Sequence, residues 1–590
     1  SRGLVGSEMC IRDSLLKKGA ARLLFFQSNT KTMYKAFTFK IFFSIKLFTI
    51  VLAPTELLAG DHESLGAVSS SHPLATEAGE AILQGGGNSI DAIIAASLVL
   101  SVVEPTMSGL GGRAQALVSE KGKKFVGYNG MTEIPQSFVY TDALPTSGYS
   151  TVAVPGLVAL LAKMHSEFGS VPFEQLTSHA IDYAENGVRF LPGERARQQS
   201  VSEKIYRNLG MREIFTDESG DIHPENHLTI QKALANTLRL ISNDPHKSFY
   251  RGDIAKSIAR DSQNNSGFIE LEDVNNYEIV PGNYFSFKYR DRVIHSLAAP
   301  AGGMLIAKSL SILKKFDYAD FDEDRWATLV SQSLALSIKS MNEDYYEKNP
   351  AAALETDWTE KQLAKVRLPT TNNAYTRIGN EEISHKTDWI LNSNSHTSHL
   401  SVFDCNGLAV SLTQTLGPIF GAKVLTKELG FPYASTMGSY LRTGKQKPGQ
   451  RPRTSIAPVI VTKDGDIEMV IGAAGGIRIP SAITQVLSRV IDQKMNLDEA
   501  ISAPRIHPKM SINDENERVI NLKAFEAEMS DNSWGENSLK YWIDNGFDVE
   551  SKYSRASFGR VNAVMKKSNV IIGASDPDWE GAATTMVTCN

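Results

Sequence analysis

An α/β fold, with helices packed on β-sheet, is predicted by three features of the sequence. Apolar residues recur at helical spacing in long segments, as over 73–84, 157–164 and 231–241. Two β-prone hairpins alternate with them, one over 396–415 around Asp404-Cys405-Asn406-Gly407 and one over 459–471 around Asp464-Gly465. Finally, a strand, a double glycine and a helix follow one another over 467–491, a layout that aims backbone N–H groups at an anionic atom or makes a tight strand-to-helix turn.

The bulk properties set limits on function. A chain of 590 residues has room for several domain-sized cores or for one large intertwined α/β unit. Its apolar fraction of 42%, charged fraction of 22% and net charge of -5 describe an ordinary globular composition, with no basic excess to suggest nucleic acid. Cys10, Cys405 and Cys589 are too few for a disulfide framework, and no Cys/His cluster has metal-ligand spacing. Neither zinc, another cofactor nor an obligatory disulfide is expected.

The N-terminal residues stand apart from the fold. Residues 1–14 (SRGLVGSEMCIRDS) resemble a translated sequencing adapter, so 1–32 are set aside as a non-native leader and Met33 is taken as the natural start. From there Lys35 and Lys40 supply a basic region, 41–53 an apolar region, and Leu57-Leu58-Ala59 a cleavage site before Gly60. The apolar run is short for a membrane span and Lys46 interrupts it, so 33–59 reads as an export signal, with an uncleaved anchor as the alternative.

Taken in order, Pro73 opens a helix that Gly85-Gly86-Gly87 stops, and Asn88 caps a second one whose all-round apolar run, 93–103, marks it as buried. The glycine loop Ser108-Gly109-Leu110-Gly111-Gly112 lacks the Lys-Ser/Thr of a phosphate-binding loop, so close backbone packing is the better reading. Helices are expected around 173–185, after Tyr250-Arg251-Gly252-Asp253, from Met304 and over 480–491. Residues 343–371 look irregular, and 371–396, rich in Thr, Asn, Ser and His, read as an exposed linker ending at Thr397. In the hairpin that follows, the turn lies at Cys405-Asn406 or Asn406-Gly407. Either register returns Thr415 to within about one residue of facing Thr397.

Several collinear segments together resemble the gamma-glutamyltransferase family of N-terminal-nucleophile hydrolases. They include Ser70-Ser71-His72-Pro73, Gly85-Gly86-Gly87-Asn88-Ser89-Ile90-Asp91-Ala92, Val103-Glu104-Pro105, Ala153-Val154-Pro155-Gly156, Thr397-Ser398-His399, Arg451-Pro452 with Thr454-Ser455, Gly475-Gly476, and Gly573-Ala574-Ser575-Asp576-Pro577. The resemblance implies a four-layer αββα sandwich made as a precursor that cuts itself before the nucleophilic threonine. Here the cut would fall at His396-Thr397, dividing the chain into a large subunit, 60–396, and a small one, 397–590, that stay intertwined. Thr397 would then use its own new α-amine, which titrates near neutrality, as general base. By the same resemblance Thr415 would orient Thr397, Gly475 and Gly476 would form the oxyanion hole, and Thr454 and Ser455 would contact the substrate carboxylate.

The recognition positions depart from the family. Met131, in Asn129-Gly130-Met131-Thr132-Glu133, stands where the family carries an arginine for the glutamyl α-carboxylate, and methionine cannot make that bidentate pair. Thr436 and Ser439 occupy positions of the amide and acid that hold the α-amine, and Gly417 replaces an asparagine. Arg113 offers a substitute charge or is simply a packed arginine. The expected activity is therefore an amide hydrolase or acyltransferase on a small amide or γ-glutamyl substrate, with altered recognition. The alternatives are a cephalosporin-acylase-like amidase, a γ-glutamyltransferase with repositioned recognition residues, and a non-catalytic binding protein on the same fold.

Overall fold

Each predicted hairpin forms the centre of a seven-stranded sheet. The computed structural model describes residues 66–141, 143–318, 321–340, 350, 354, 356–369, 382–385, 389–391, 396–439, 441–443, 446–512, 518–529, 534–553, 557–578 and 580–589. The leader and signal assigned to 1–59 lie outside them. The first sheet runs Ala582–Ala583, Gly66–Ser70, His396–Asp404, Leu408–Gly417, Arg113–Glu120, Lys124–Gly130, Val280–Pro281. The second runs Val587–Thr588, Val570–Ser575, Arg560–Lys567, Asp466–Ala474, Val459–Lys463, Arg292–Leu297, Tyr284–Tyr289.

Burial follows from the layering. Leu117, Phe403 and Ala409 of the first sheet meet Ile460, Val470, Val564 and Ile571 of the second in one apolar cluster between the sheets. Helices Pro73–Gln84, Ser89–Val103 and Phe173–Asn186 close the outer face of the first sheet, and Gly303–Leu313, Glu323–Lys339 and Arg478–Ile491 that of the second. A four-layer αββα sandwich results, and a central strand is consequently covered on both faces. That explains why every residue of His396–Asp404 after its first is buried. The helix Ser89–Val103 is buried along its whole length, as its sequence predicts. Asn88 Oδ1 caps it by accepting from the N–H groups of Ile90 and Asp91, and Asp91 returns a bond to the Asn88 N–H.

Close backbone packing accounts for the glycine loop. A Cβ on Gly111 would lie 2.4 Å from the Pro432 carbonyl oxygen, and one on Gly112 would lie 2.9 Å from that of Thr415. The second sheet's hairpin and the helix after it form as predicted.

Three expectations are corrected. Within the stretch read as irregular, Thr356–Leu363 is a helix. The expected linker contains two short strands, Glu382–His385 and Trp389–Leu391, paired with Arg518–Glu528 and Leu441–Thr443; the rest of 371–395 lies outside the described residues. Main-chain pairing needs no apolar periodicity, so the sequence carried no signal for it. Cys405 and Cys589 form a disulfide, because the C-terminal edge strand of the second sheet ends beside the turn of the first sheet's central hairpin. Among the described residues no helix is long and apolar enough to cross a membrane, and no group of three or more metal-binding side chains occurs.

Candidate active site

Thr397 sits where the central hairpin breaks register. Ser398 pairs with Gln414 but His396 pairs with Gly417, so a bulge falls at Thr397, opposite Thr415 and Leu416. The bulge brings three polar groups together. The Thr397 hydroxyl donates to Thr415 Oγ1 over 3.1 Å, the Thr415 hydroxyl donates to the His396 carbonyl oxygen over 2.6 Å, and the Gly417 N–H donates to Thr415 Oγ1 over 2.8 Å. Thr397 is only 1% exposed. A fixed hydroxyl is thus held on the carbonyl of the peptide bond that precedes Thr397.

Alternation along the strand divides its neighbours. Thr397, His399 and Ser401 face the second sheet. There His399 Nδ1 meets Thr413 Oγ1 at 2.8 Å and Nε2 meets Ser401 Oγ at 3.0 Å, while the ring lies against Gly472. Burial pushes the His399 imidazole down to about 3, so it is neutral near pH 7. Ser398 faces the helices instead and donates to Glu104 Oε2 over 2.8 Å; Glu104 in turn faces Arg197, which pairs with Glu194 at 2.9 Å. Burial raises the Glu104 carboxyl above the ordinary carboxylate range despite Arg197. On the other side of Thr397, burial and then the charges of Arg197, Arg560 and Lys423 hold the His396 ring well below the ordinary histidine range.

The double glycine reaches the same end of the sandwich. Cys405, Asn406 and Gly407 line one cavity with Asp466 and Ile467, and His399 touches Gly472 midway, so the two strands run in opposite directions and Ala474 finishes beside the start of His396–Asp404. Gly475 and Gly476 follow with φ of 126° and 61°, a left-handed pair that only glycine adopts without strain. A Cβ on Gly475 would also lie 2.9 Å from Gly559 Cα. Ser455 Oγ donates to the Gly476 carbonyl over 2.6 Å, tying that predicted residue to the double glycine. Thr454 is held by its N–H to the Pro300 carbonyl at 2.7 Å and lines a small cavity with Met304, Leu305, Lys308 and Arg453.

The recognition positions are less uniform. Met131 is fully buried, its carbonyl accepting from the Tyr277 hydroxyl at 2.7 Å. Thr436 Oγ1 lies 2.9 Å from Thr132 Oγ1 and accepts from Arg113 Nη1 at 3.2 Å. Ser439 is placed apart, with its N–H on the Pro145 carbonyl. Glu104 and Arg197 gave no sign in the sequence of meeting beside Ser398, since they come from different segments.

The four layers, with a threonine at the bulged start of a central strand, define the fold of the N-terminal-nucleophile hydrolases. The same fold is found in the crystal structure of cephalosporin acylase from Bacillus halodurans, with a TM-score of 0.76 and 24% identity over 88% of this chain and 96% of that one. Residues 75–586 match the gamma-glutamyltranspeptidase family, and the chain belongs to it. It is 30% identical over 532 residues to the capsule biosynthesis protein CapD proenzyme of Bacillus anthracis, covering 88% of this chain and 90% of that protein. Against the glutathione hydrolase proenzyme of Pseudomonas sp. (strain A14) it is 29% identical over 480 residues, or 75% of this chain and 81% of that protein.

Proposed function

We propose that this chain is an autoprocessing threonine amide hydrolase and acyltransferase of altered substrate recognition. The observation that carries the reading is the hydroxyl relay from Thr397 through Thr415 to the His396 carbonyl. In the precursor, Thr397 Oγ adds to the His396 carbonyl carbon while the Thr415 hydroxyl stabilises the oxygen that becomes negative. Cleavage of the C–N bond leaves an ester on Thr397 Oγ, and the proton lost by the hydroxyl ends on the freed α-amine. Water then hydrolyses the ester, giving the His396 carboxylate among the charges of Arg197, Arg560 and Lys423.

In the mature enzyme the α-amine takes the Thr397 hydroxyl proton, and Oγ attacks the substrate amide. The leaving amine carries the proton away, and water or a second amine resolves the acyl-enzyme. Gly475 and Gly476 supply the oxyanion donors, and Thr454 and Ser455 contact the substrate carboxylate. The changes at Met131, Thr436 and Ser439 disfavour free γ-glutamyl donors.

The sheet order supports a stable pair of subunits after cleavage. In the first sheet Gly66–Ser70 lies between two strands of the C-terminal segment and Leu408–Gly417 pairs with Arg113–Glu120, so main-chain hydrogen bonds hold the two pieces together. The Cys405–Cys589 disulfide supports export to the periplasm or medium through the 33–59 signal. The test is a panel of γ-glutamyl, dicarboxylic and simple acyl anilides followed by mass spectrometry. The expected result is an acyl adduct on Thr397 and no turnover in Thr397→Ala; turnover that survives Thr397→Ala contradicts the reading.

A further inference from the structure

We infer that the end of the sandwich opposite Thr397 docks on an anionic lipid surface, with headgroup phosphates seated on a ring of lysines. The contact is peripheral and stands apart from the activity proposed above.

Hairpin turns build this face. The strand His396–Asp404 has nine residues and spans roughly 30 Å, so the turn at Cys405-Asn406-Gly407 lies at the far end from Thr397. Turns of both sheets meet there: the Lys121 N–H donates to the Gly407 carbonyl at 2.7 Å, and a Cβ on Gly122 would lie 2.4 Å from the Gly465 carbonyl oxygen. A cleft of about 1070 Å³ opens beside them, with Phe403, Ile467 and Met565 in its apolar part. Lys121 and Lys123 reach it from the turn after Arg113–Glu120, Lys463 from the turn after Val459–Lys463, and Lys566 and Lys567 from the end of Arg560–Lys567. Lys494 comes from the loop after the helix Arg478–Ile491.

The charge balance points to an anion. The chain as a whole carries -5, yet seven cations against three carboxylates line this cleft. Pairing widens the imbalance. Arg292 bonds Glu468 through Nε and Nη2 at 2.9 Å each, and Lys463 faces Asp291 at 3.8 Å. Lys494 donates to the Ile491 carbonyl at 2.6 Å and Lys566 lies over the Phe403 ring. Among the described residues, Lys121, Lys123, Lys494, Lys566 and Lys567 form no ion pair with a carboxylate.

Residue type then selects the partner. Stereospecific capture of one small anion draws on the planar fork of arginine, which here is engaged by Glu468. Lysine is a point charge on a flexible stem, satisfied by any phosphate within reach. A ring of lysines spread over several turns therefore fits a surface of many headgroups. Chain entry agrees. Gly66 pairs with Asp404 at this same end, thirteen residues after the apolar segment 41–53, so the polypeptide that follows that segment enters the fold beside the lysines.

The experiment floats the mature chain, 60–590, with vesicles of phosphatidylcholine alone or with about 30 mol% phosphatidylglycerol. Wild type is expected to bind only the anionic vesicles, and to lose at least roughly tenfold in binding between about 50 mM and about 500 mM salt. K121E/K123E/K566E/K567E is expected to bind at least roughly tenfold more weakly. K232E/K247E/K256E/K427E, the same charge change on exposed lysines that do not line the cleft, is expected to bind as wild type does. Wild type that ignores phosphatidylglycerol, a cleft variant that still binds, or a control variant that loses binding equally overturns the inference. Calorimetry with inositol hexakisphosphate separates free phosphate from a lipid surface: tight binding of it by a protein that stays off the vesicles also overturns the inference. Circular dichroism checks folding, and should the fourfold cleft variant not fold, K566E/K567E decides by the same criteria.

Discussion

The Thr415 hydroxyl has three partners, and two of them define its work at the scale of a single residue. It accepts from Thr397 and donates to the His396 carbonyl, which belongs to the bond proposed to be cut. Thr415→Val, which keeps shape but loses the hydroxyl, is expected to slow self-cleavage by roughly 10²–10³-fold, the loss typical of one oxyanion donor. Thr415→Ser should recover most of it, with the time course read on denaturing gels. A pH dependence belongs to the same atoms. An unperturbed α-amine titrates at about 7.7–8.0, and burial as deep as that of Thr397 disfavours its charged form. The kcat/KM profile should therefore fall on the acid side through an apparent pKa at or below about 8, because the protonated amine cannot accept the hydroxyl proton. The pairing of the two threonines was legible from hairpin length alone. The aim of Thr415 at the carbonyl was not, since it depends on a bulge at Thr397 that tertiary packing sets.

At the scale of elements, the hairpins, the capped helix after Asn88 and the strand–double glycine–helix turn were all readable from local patterns. Glu382–His385 and Trp389–Leu391 were not, because edge pairing leaves no periodicity to read. The Cys405–Cys589 bond was missed for a different reason: sequence spacing says nothing about which turns of two sheets end side by side. Cys405→Ser is expected to cost about 2–4 kcal/mol in urea unfolding. Since both cysteines follow the proposed cleavage point, a non-reducing denaturing gel should still separate the two proposed subunits. Between the sheets, a Cβ on Gly472 would lie 2.2 Å from His399 Cε1. Gly472→Ala should destabilise by about 1–3 kcal/mol, the usual cost of overpacking a core.

At the scale of the whole molecule, the four layers came from the order of many short motifs, whereas composition and periodicity indicated only helices on sheet. What the layers bury sets the response to acid. Burial holds His72 and His399 down to about 3 and His295 to about 4, so each stays neutral in the folded protein. An unfolded chain takes up those protons from pH ~6.5 downward. The stabilisation is therefore fully present above about pH 6.5 and is lost as the pH falls, by at most ~1.4 kcal/mol per unit for each histidine. Urea midpoints measured from pH 7.5 to 4.5 should decline accordingly. The interleaving of strands from 60–396 and 397–590 in one sheet leads to the most direct test of all. The purified protein should run as two bands on a denaturing gel and as one species on a sizing column, with Thr397 as the N-terminus of the smaller band. A single intact chain, or a new N-terminus elsewhere, would contradict the account.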